Sequence, residues 1–215
     1  MKKSTFIIFG MPGVGKGTRL SYFMNGREAD YQIVSVGNML RTARKDGTEL
    51  GLKAAPYMDS GGLVPDDIIN AIVIEGMKNA NINLITDGFP RTENQARAMI
   101  EAGVIPTVVI ELQASKEVIL QRALDRIVCE KCGEAYTLND YKPPKETGIC
   151  DKCGGALIRR KDDEEETVMK RFEVYENDTY PLLAILKEAG VPICVLDTTA
   201  SDIDEQFKLI MEKYS

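Results

Sequence analysis

Along this chain, short runs of β-branched and aromatic residues alternate with longer stretches whose apolar positions recur at helical spacing. The candidate strands are residues 5–9, 32–34, 83–86, 107–111 and 193–196. Between them the pattern predicts helices over residues 16–25, 38–46, 65–80, 93–102 and 116–125. A long charged helix over 163–189 and an amphipathic one ending near Tyr214 should follow. Pro65 opens the third helix, with Asp66 and Asp67 in the first turn, where the helix dipole favours acids. Ser115 is placed as an N-cap and Ser201-Asp202 as the cap of the last helix, while Pro181 should kink or interrupt the long one. Strands alternating with helices in this way predict parallel βαβ units, an α/β three-layer fold on a five-stranded parallel sheet.

The segment from Cys129 to about Ile158 breaks that rhythm. Cysteine, glycine and Pro143-Pro144 replace the helical pattern, and an irregular stretch this long inside a compact domain needs a staple. Cys129-Glu130-Lys131-Cys132-Gly133 and Cys150-Asp151-Lys152-Cys153-Gly154 are two copies of one knuckle, with residues 133–149 between the inner cysteines. In each, glycine after the second cysteine allows the backbone twist that brings N–H groups toward sulfur. Two such knuckles build a four-sulfur tetrahedral site, which points to structural zinc on Cys129, Cys132, Cys150 and Cys153. Two disulfides are the alternative, disfavoured in a reducing compartment, and four thiolates can also hold iron. With four protein ligands the metal would have no open position and would hold structure only. The fifth cysteine, Cys194, lies in an apolar strand and reads as a small buried packing residue.

Composition narrows the function classes. The 215 residues suffice for one well-cored domain with small insertions, and 44% apolar with 28% charged residues is ordinary for a globular protein. A net charge of -6 argues against a general nucleic-acid binder. No apolar run is long enough to cross a bilayer, and the Met1-Lys2-Lys3 start runs straight into a strand without a signal-peptide core, so a cytoplasmic protein is expected. Histidine is absent, which removes imidazole as base or metal ligand.

The chemistry is carried first by Gly10-Met11-Pro12-Gly13-Val14-Gly15-Lys16-Gly17-Thr18, directly after the strand Phe6-Ile7-Ile8-Phe9. Glycines let the backbone wrap an anion so that successive N–H groups point inward. The following helix adds its positive end, and the Lys16 ammonium reaches the outer phosphates. A nucleotide phosphate site is the consequence. The second element is Asp87-Gly88-Phe89-Pro90-Arg91-Thr92, which ends the third candidate strand. An acid at the carboxyl end of a buried strand beside a phosphate loop is placed to accept bonds from magnesium-bound water, and Arg91 offers a fork suited to phosphate.

Gly10 to Thr18, Asp87 to Arg91 with Gln95 downstream, and Gly62-Leu63-Val64 resemble the three characteristic segments of adenylate kinases. The similarity runs over essentially the whole chain, including Arg160-Lys161-Asp162-Asp163 through Arg171, and the cysteine segment resembles the zinc-bearing lid of many bacterial members. The resemblance implies transfer of the terminal phosphoryl group of Mg-ATP to AMP, giving two ADP. It implies Lys16, Asp87, Arg91, Arg126, Arg160 and Arg171 as the catalytic set, with Arg41 joining Arg91, Arg126, Arg160 and Arg171 in the phosphate cage. ATP would be held by Gly13, Val14, Gly15, Lys16, Gly17, Thr18, Arg122 and Arg126, with Arg122 stacked on its adenine. AMP would be held by Val36, Arg41, Gly62, Val64, Gly88, Arg91, Gln95, Arg160 and Arg171, its adenine read by Gln95 and the backbone near Val64. A core of 1–34, 65–126 and 162–215 is implied, with an AMP-binding flap at 35–64, a zinc lid at 127–161, a cis Phe89-Pro90 bond and a monomer.

The chain departs from the family pattern in three places. Ser35-Val36-Gly37-Asn38 stands where the family has Ser-Thr-Gly-Asp, and Ile127 stands where many members carry a second arginine. Val36 can neither donate nor accept a hydrogen bond, so a working enzyme with a raised AMP Michaelis constant is expected. The competing readings are a kinase for another nucleoside monophosphate, a nucleotide-binding module with weakened catalysis, and a zinc-ribbon nucleic-acid binder, which the low positive charge between Cys132 and Cys150 disfavours.

Overall fold

The computed structural model describes residues 3–138 and 142–215. Residues 1–2 of the Met1-Lys2-Lys3 start and residues 139–141 of the expected lid lie outside the described residues. Strands β1 (Thr5–Phe9), β2 (Tyr31–Ser35), β3 (Asn83–Asp87), β4 (Val108–Gln113) and β8 (Ile193–Asp197) form one parallel sheet in the order β2-β3-β1-β4-β8. Its register sets Ile8 beside Asp87 and Phe9 beside Glu111, so β1 and β3 deliver the phosphate loop and Asp87 to the same edge.

Alternation along β1 explains the three layers. Ile7 and Phe9 face one core with Ile69, Val73 and Met77 of α4 (Asp66–Asn79), Ala96 and Met99 of α5 (Glu93–Glu101), and Leu182 and Leu186 of α8 (Leu182–Glu188). Phe6 and Ile8 face the other, with Leu20 and Phe23 of α1 (Lys16–Met24), Ile119 of α6 (Lys116–Leu124), Phe172 of α7 (Glu165–Val174) and Phe207 of α9 (Ile203–Lys213). Each fully buried side chain of this size contributes about 1.5–3 kcal/mol, which makes the sheet the rigid frame of the molecule.

The expected α/β fold and all five strands are present, with ends displaced by a residue or two. Ser115 accepts from the Val118 N–H at 3.4 Å as an N-cap should. The expected helix over 163–189 is broken into a 3-10 turn (Lys161–Asp163), α7, a π-turn (Tyr175–Thr179) and α8, with Pro181 immediately before α8. Asp202 precedes α9 without a side-chain capping bond and is tied instead to Gln206 Nε2 at 2.8 Å. Cys194 is half-buried, because β8 is an edge strand whose Val195 is 55% exposed.

Two regions carry more structure than the pattern predicts. Residues 36–59 form a helix pair, α2 (Val36–Lys45) and α3 (Glu49–Asp59), the latter capped by Thr48 and containing Pro56. The pair packs closely at Gly51, where a Cβ would lie 2.2 Å from the Ala43 backbone. The cysteine segment is not irregular throughout. It holds an antiparallel sheet, β6-β5-β7, made of β5 (Arg126–Cys129), β6 (Ala135–Thr137) and β7 (Leu157–Ile158), over a small core of Ile127, Tyr136, Cys129 and Cys150.

Candidate functional site

The glycine-rich segment spans the turn between β1 and α1. Gly10 has φ +137°, and a Cβ there would meet the Leu112 carbonyl oxygen at 2.4 Å, so only glycine allows the loop to seat against β4. Gly15, at φ 111°, starts α1 and leaves the first-turn N–H groups of that helix open toward the loop. Lys16 Nζ donates to the carbonyls of Gly10 at 2.7 Å and Met11 at 3.2 Å, curling its ammonium back over the loop. Burial pushes Lys16 down to about 8; Asp87 opposes that shift, and Arg91, Arg171 and Arg126 add to it.

Around this loop opens a cleft of about 2100 Å³. Gly13, Val14, Gly15, Lys16, Gly17 and Thr18 line it, together with Val36, Arg41, Gly62, Val64, Gly88, Arg91 and Gln95. Asp87, Arg122, Arg126, Arg160 and Arg171 complete it. The fold thus brings every residue singled out for phosphate or base binding to a single cavity, although they come from seven separate stretches of chain.

The cations of this cavity are held by a few partners. Arg126 is clamped by Asp163 through Nε at 2.8 Å and a second, shorter contact. Asp162 takes Arg160 Nε at 2.9 Å and Arg171 Nη1 at 3.0 Å. Burial alone would raise Asp162, but Arg160, Arg171 and Arg126 hold it well below the usual carboxylate range. Arg91 Nε donates to the Gly88 carbonyl at 3.0 Å, and Arg41 reaches the Asn38 side chain. Desolvation, then neighbouring arginines, lower Arg41 and Arg171, and desolvation lowers Arg91. Lys16, Arg41, Arg91, Arg126, Arg160 and Arg171 outnumber Asp87 and Asp162 in this part of the lining, an excess of positive charge that anions in the cleft would neutralise. Arg122 sits apart, donating to the Val14 carbonyl at 3.2 Å and to Thr198 Oγ1 at 2.7 Å.

Sequence reasoning did not assign Asp162 and Asp163 a place in the site. The signal was present, because paired acids two and three residues beyond Arg160 fit arginine forks. It also missed the contact of the cysteine segment with the rest of the molecule. Ser21 Oγ on α1 donates to Glu134 at 2.8 Å, and Lys45 Nζ on α2 reaches the Glu130 carbonyl at 3.3 Å; within the segment, Lys142 Nζ donates to the same Glu134 carboxylate at 2.5 Å. The Phe89-Pro90 bond is cis, as the resemblance implied.

The four knuckle cysteines converge, with their Sγ atoms all within 4.8 Å of one another. Cys129 and Cys153 Sγ are 3.4 Å apart, and Cys132 and Cys150 Sγ are 3.6 Å apart. A tetrahedron with metal–sulfur bonds near 2.3 Å places its sulfurs about 3.8 Å apart, so the donor set fits zinc. Gly133 and Gly154 both have positive φ, as the knuckle turn requires, and a Cβ on Gly155 would stand 2.8 Å from Cys129 Sγ.

A glycine loop between a parallel strand and a helix, with one lysine and a ring of arginines around a shared cleft, defines a P-loop nucleotide-binding protein built for phosphoryl chemistry. Comparison with known proteins narrows this. The adenylate kinase family model matches residues 8–191. An adenylate kinase of Syntrophomonas wolfei subsp. wolfei is 42% identical over 193 residues, covering 86% of this chain and 87% of that one. Those of Symbiobacterium thermophilum (39% identical; 93% and 96% covered) and Carboxydothermus hydrogenoformans (40%; 95% and 96%) match over 210 residues each. The chain belongs to the adenylate kinase family.

Proposed function

We propose that this chain catalyses reversible transfer of the terminal phosphoryl group of Mg-ATP to AMP, yielding two ADP, with residues 1–34, 65–126 and 162–215 as core, 35–64 as AMP flap and 127–161 as zinc lid. The observation that carries this is the convergence of Lys16, Arg41, Arg91, Arg126, Arg160 and Arg171 on one cleft. The loop N–H groups from Gly13 to Thr18 hold the ATP phosphates, and Arg122 packs on its base. Arg41, Arg91, Arg160 and Arg171 hold the AMP phosphate, while Val36, Gly62, Val64, Gly88 and Gln95 form the nucleoside wall.

An AMP phosphate oxygen attacks the γ-phosphorus in line, the bond to the β-bridging oxygen breaks, and ADP leaves. No proton transfer is needed in that step, so a chain without histidine loses nothing. The residues' work is alignment and charge neutralisation: Lys16 and the arginines face negative charge spread over the transferring group. Magnesium, when bound with ATP, would supply further neutralisation of phosphate charge. Asp87, at the end of β3 and accepting a long 3.3 Å bond from Ser35 Oγ, is the carboxylate that would receive its waters. Cys129, Cys132, Cys150 and Cys153 would hold zinc that stiffens a lid whose own core is little more than Ile127, Tyr136 and two of those cysteines. With four thiolates kept reduced, the protein is read as a cytoplasmic monomer acting on ATP, AMP and ADP.

A panel of AMP, CMP, UMP and GMP with Mg-ATP tests this, with zinc content measured on the same sample. AMP should give the highest kcat/KM; equal or faster phosphorylation of another monophosphate would overturn the reading.

A further inference from the structure

Gln95 is 3% exposed, and both ends of its amide are fixed. Its Oε1 accepts from the Arg91 backbone N–H at 2.7 Å, and its Nε2 donates to Asp66 Oδ1 at 2.7 Å. The other Asp66 oxygen accepts from Thr92 Oγ1 at 2.9 Å, and that hydroxyl accepts from the Gln95 N–H at 3.1 Å. An amide can be turned over with little change of shape, exchanging donor for acceptor. Here only one orientation works. Turned over, the NH₂ would face the Arg91 N–H, and the carbonyl oxygen would face the Asp66 carboxylate. Both hydrogen bonds would become repulsions in a buried place.

We propose that Asp66, on the first turn of α4 and outside the nucleotide contacts, is a positioning residue that locks the Gln95 amide in the orientation complementary to a 6-aminopurine. The inference rests on the proposed reading of Gln95 as the adenine contact. The Watson–Crick edge of adenine offers an N6–H donor beside the N1 acceptor. Hypoxanthine and guanine offer the reverse, an O6 acceptor beside an N1–H donor. A freely turning amide could serve either edge, whereas the locked amide serves only the first. Discrimination against 6-oxopurines is therefore built into a carboxylate that touches no base.

The test compares AMP with IMP, which differ only at that edge, in three proteins. Asp66→Asn keeps the shape but can donate to a turned amide as well as accept from the native one. Asp67→Asn deletes the same first-turn charge at the neighbouring exposed position, away from Gln95. In Asp66→Asn the AMP-to-IMP ratio of kcat/KM should fall about tenfold, chiefly through a higher KM for AMP, with the AMP kcat largely kept. Asp67→Asn should leave the ratio where it was. Dissociation constants from calorimetry should move in parallel with KM. A ratio unchanged in Asp66→Asn, or lowered equally in both variants, overturns the inference. A wild-type protein that fails to phosphorylate AMP refutes the proposed function instead.

Discussion

Asp163 is the best place to measure how the arginine ring is held. Its side chain is 4% exposed and that of Arg126 is 19% exposed, and the two meet through both carboxylate oxygens. Arg171 and Arg160 lie 3.8 and 4.0 Å from the same carboxylate. Asp163→Asn preserves shape while deleting the only carboxylate that pairs with Arg126 among the described residues. Removing one partner of a buried pair typically costs about 3–5 kcal/mol. Asp162 remains close to Arg126, and the arginine keeps some solvent, which brings the expected loss to about 2–3 kcal/mol. For a chain of this length each kcal/mol moves the midpoint by about 2–4 °C, so thermal unfolding at neutral pH should fall by about 5–10 °C. Nucleotide bound as proposed brings phosphate charge to the same arginine ring, so ligand should raise the variant's midpoint more than the wild type's. A variant melting within a degree of the wild type, or one that gains less from nucleotide, would refute the view that Asp163 balances the ring.

Other consequences can be checked alongside. Lys16 is lowered from 10.5 to about 8 by burial, so the folded protein binds fewer protons than the unfolded chain between those values, and stability should rise as pH climbs through that window. Lys16→Met removes the buried charge: it should abolish turnover yet unfold at least as late as wild type at pH 7, by about 1–2 kcal/mol after allowing for residual solvent contact, with the advantage vanishing toward pH 10.5. Urea titrations at several pH values would show it, and a constant difference across that range contradicts it. Chelation under reducing conditions should lower the melting temperature and speed amide exchange within residues 127–161; unchanged unfolding of metal-stripped protein would rule out a stapling role. Val36, at the start of α2, is 6% exposed and packs in the core beside Leu40 while lining the cleft. Val36→Thr should lower the AMP KM about fivefold at similar kcat, the worth of about one hydrogen bond; no change would discard the reasoning that Val36 raises the AMP KM.

The sheet and its phosphate loop were legible because their determinants are local. Apolar runs of strand length, glycines at positive φ and a following helix are written in adjacent residues. The knuckles were legible for the same reason. The α2–α3 pair was only half seen. No helix was assigned to residues 49–59, yet α3 forms there because Thr48 caps it and Gly51 lets it approach α2. The short strands β6 and β7 escaped notice because two or three residues carry no periodicity; pairing with β5 makes them strands. The break between α7 and α8 was foreseeable at Pro181, but the π-turn ahead of it was not.

By itself the sequence determined the kinds of chemistry present: a loop that can wrap phosphate, thiolates in metal-binding pairs, arginine forks and no imidazole. Those follow from residue type and spacing, which the covalent chain specifies directly. Only the tertiary structure decided how these groups act on one another. Arg126 meets Asp163 and Gln95 meets Asp66 across 37 and 29 positions of chain. Such partnerships arise when the sheet order and helix packing close the distance, and desolvation and charge balance then act on groups that are remote in sequence.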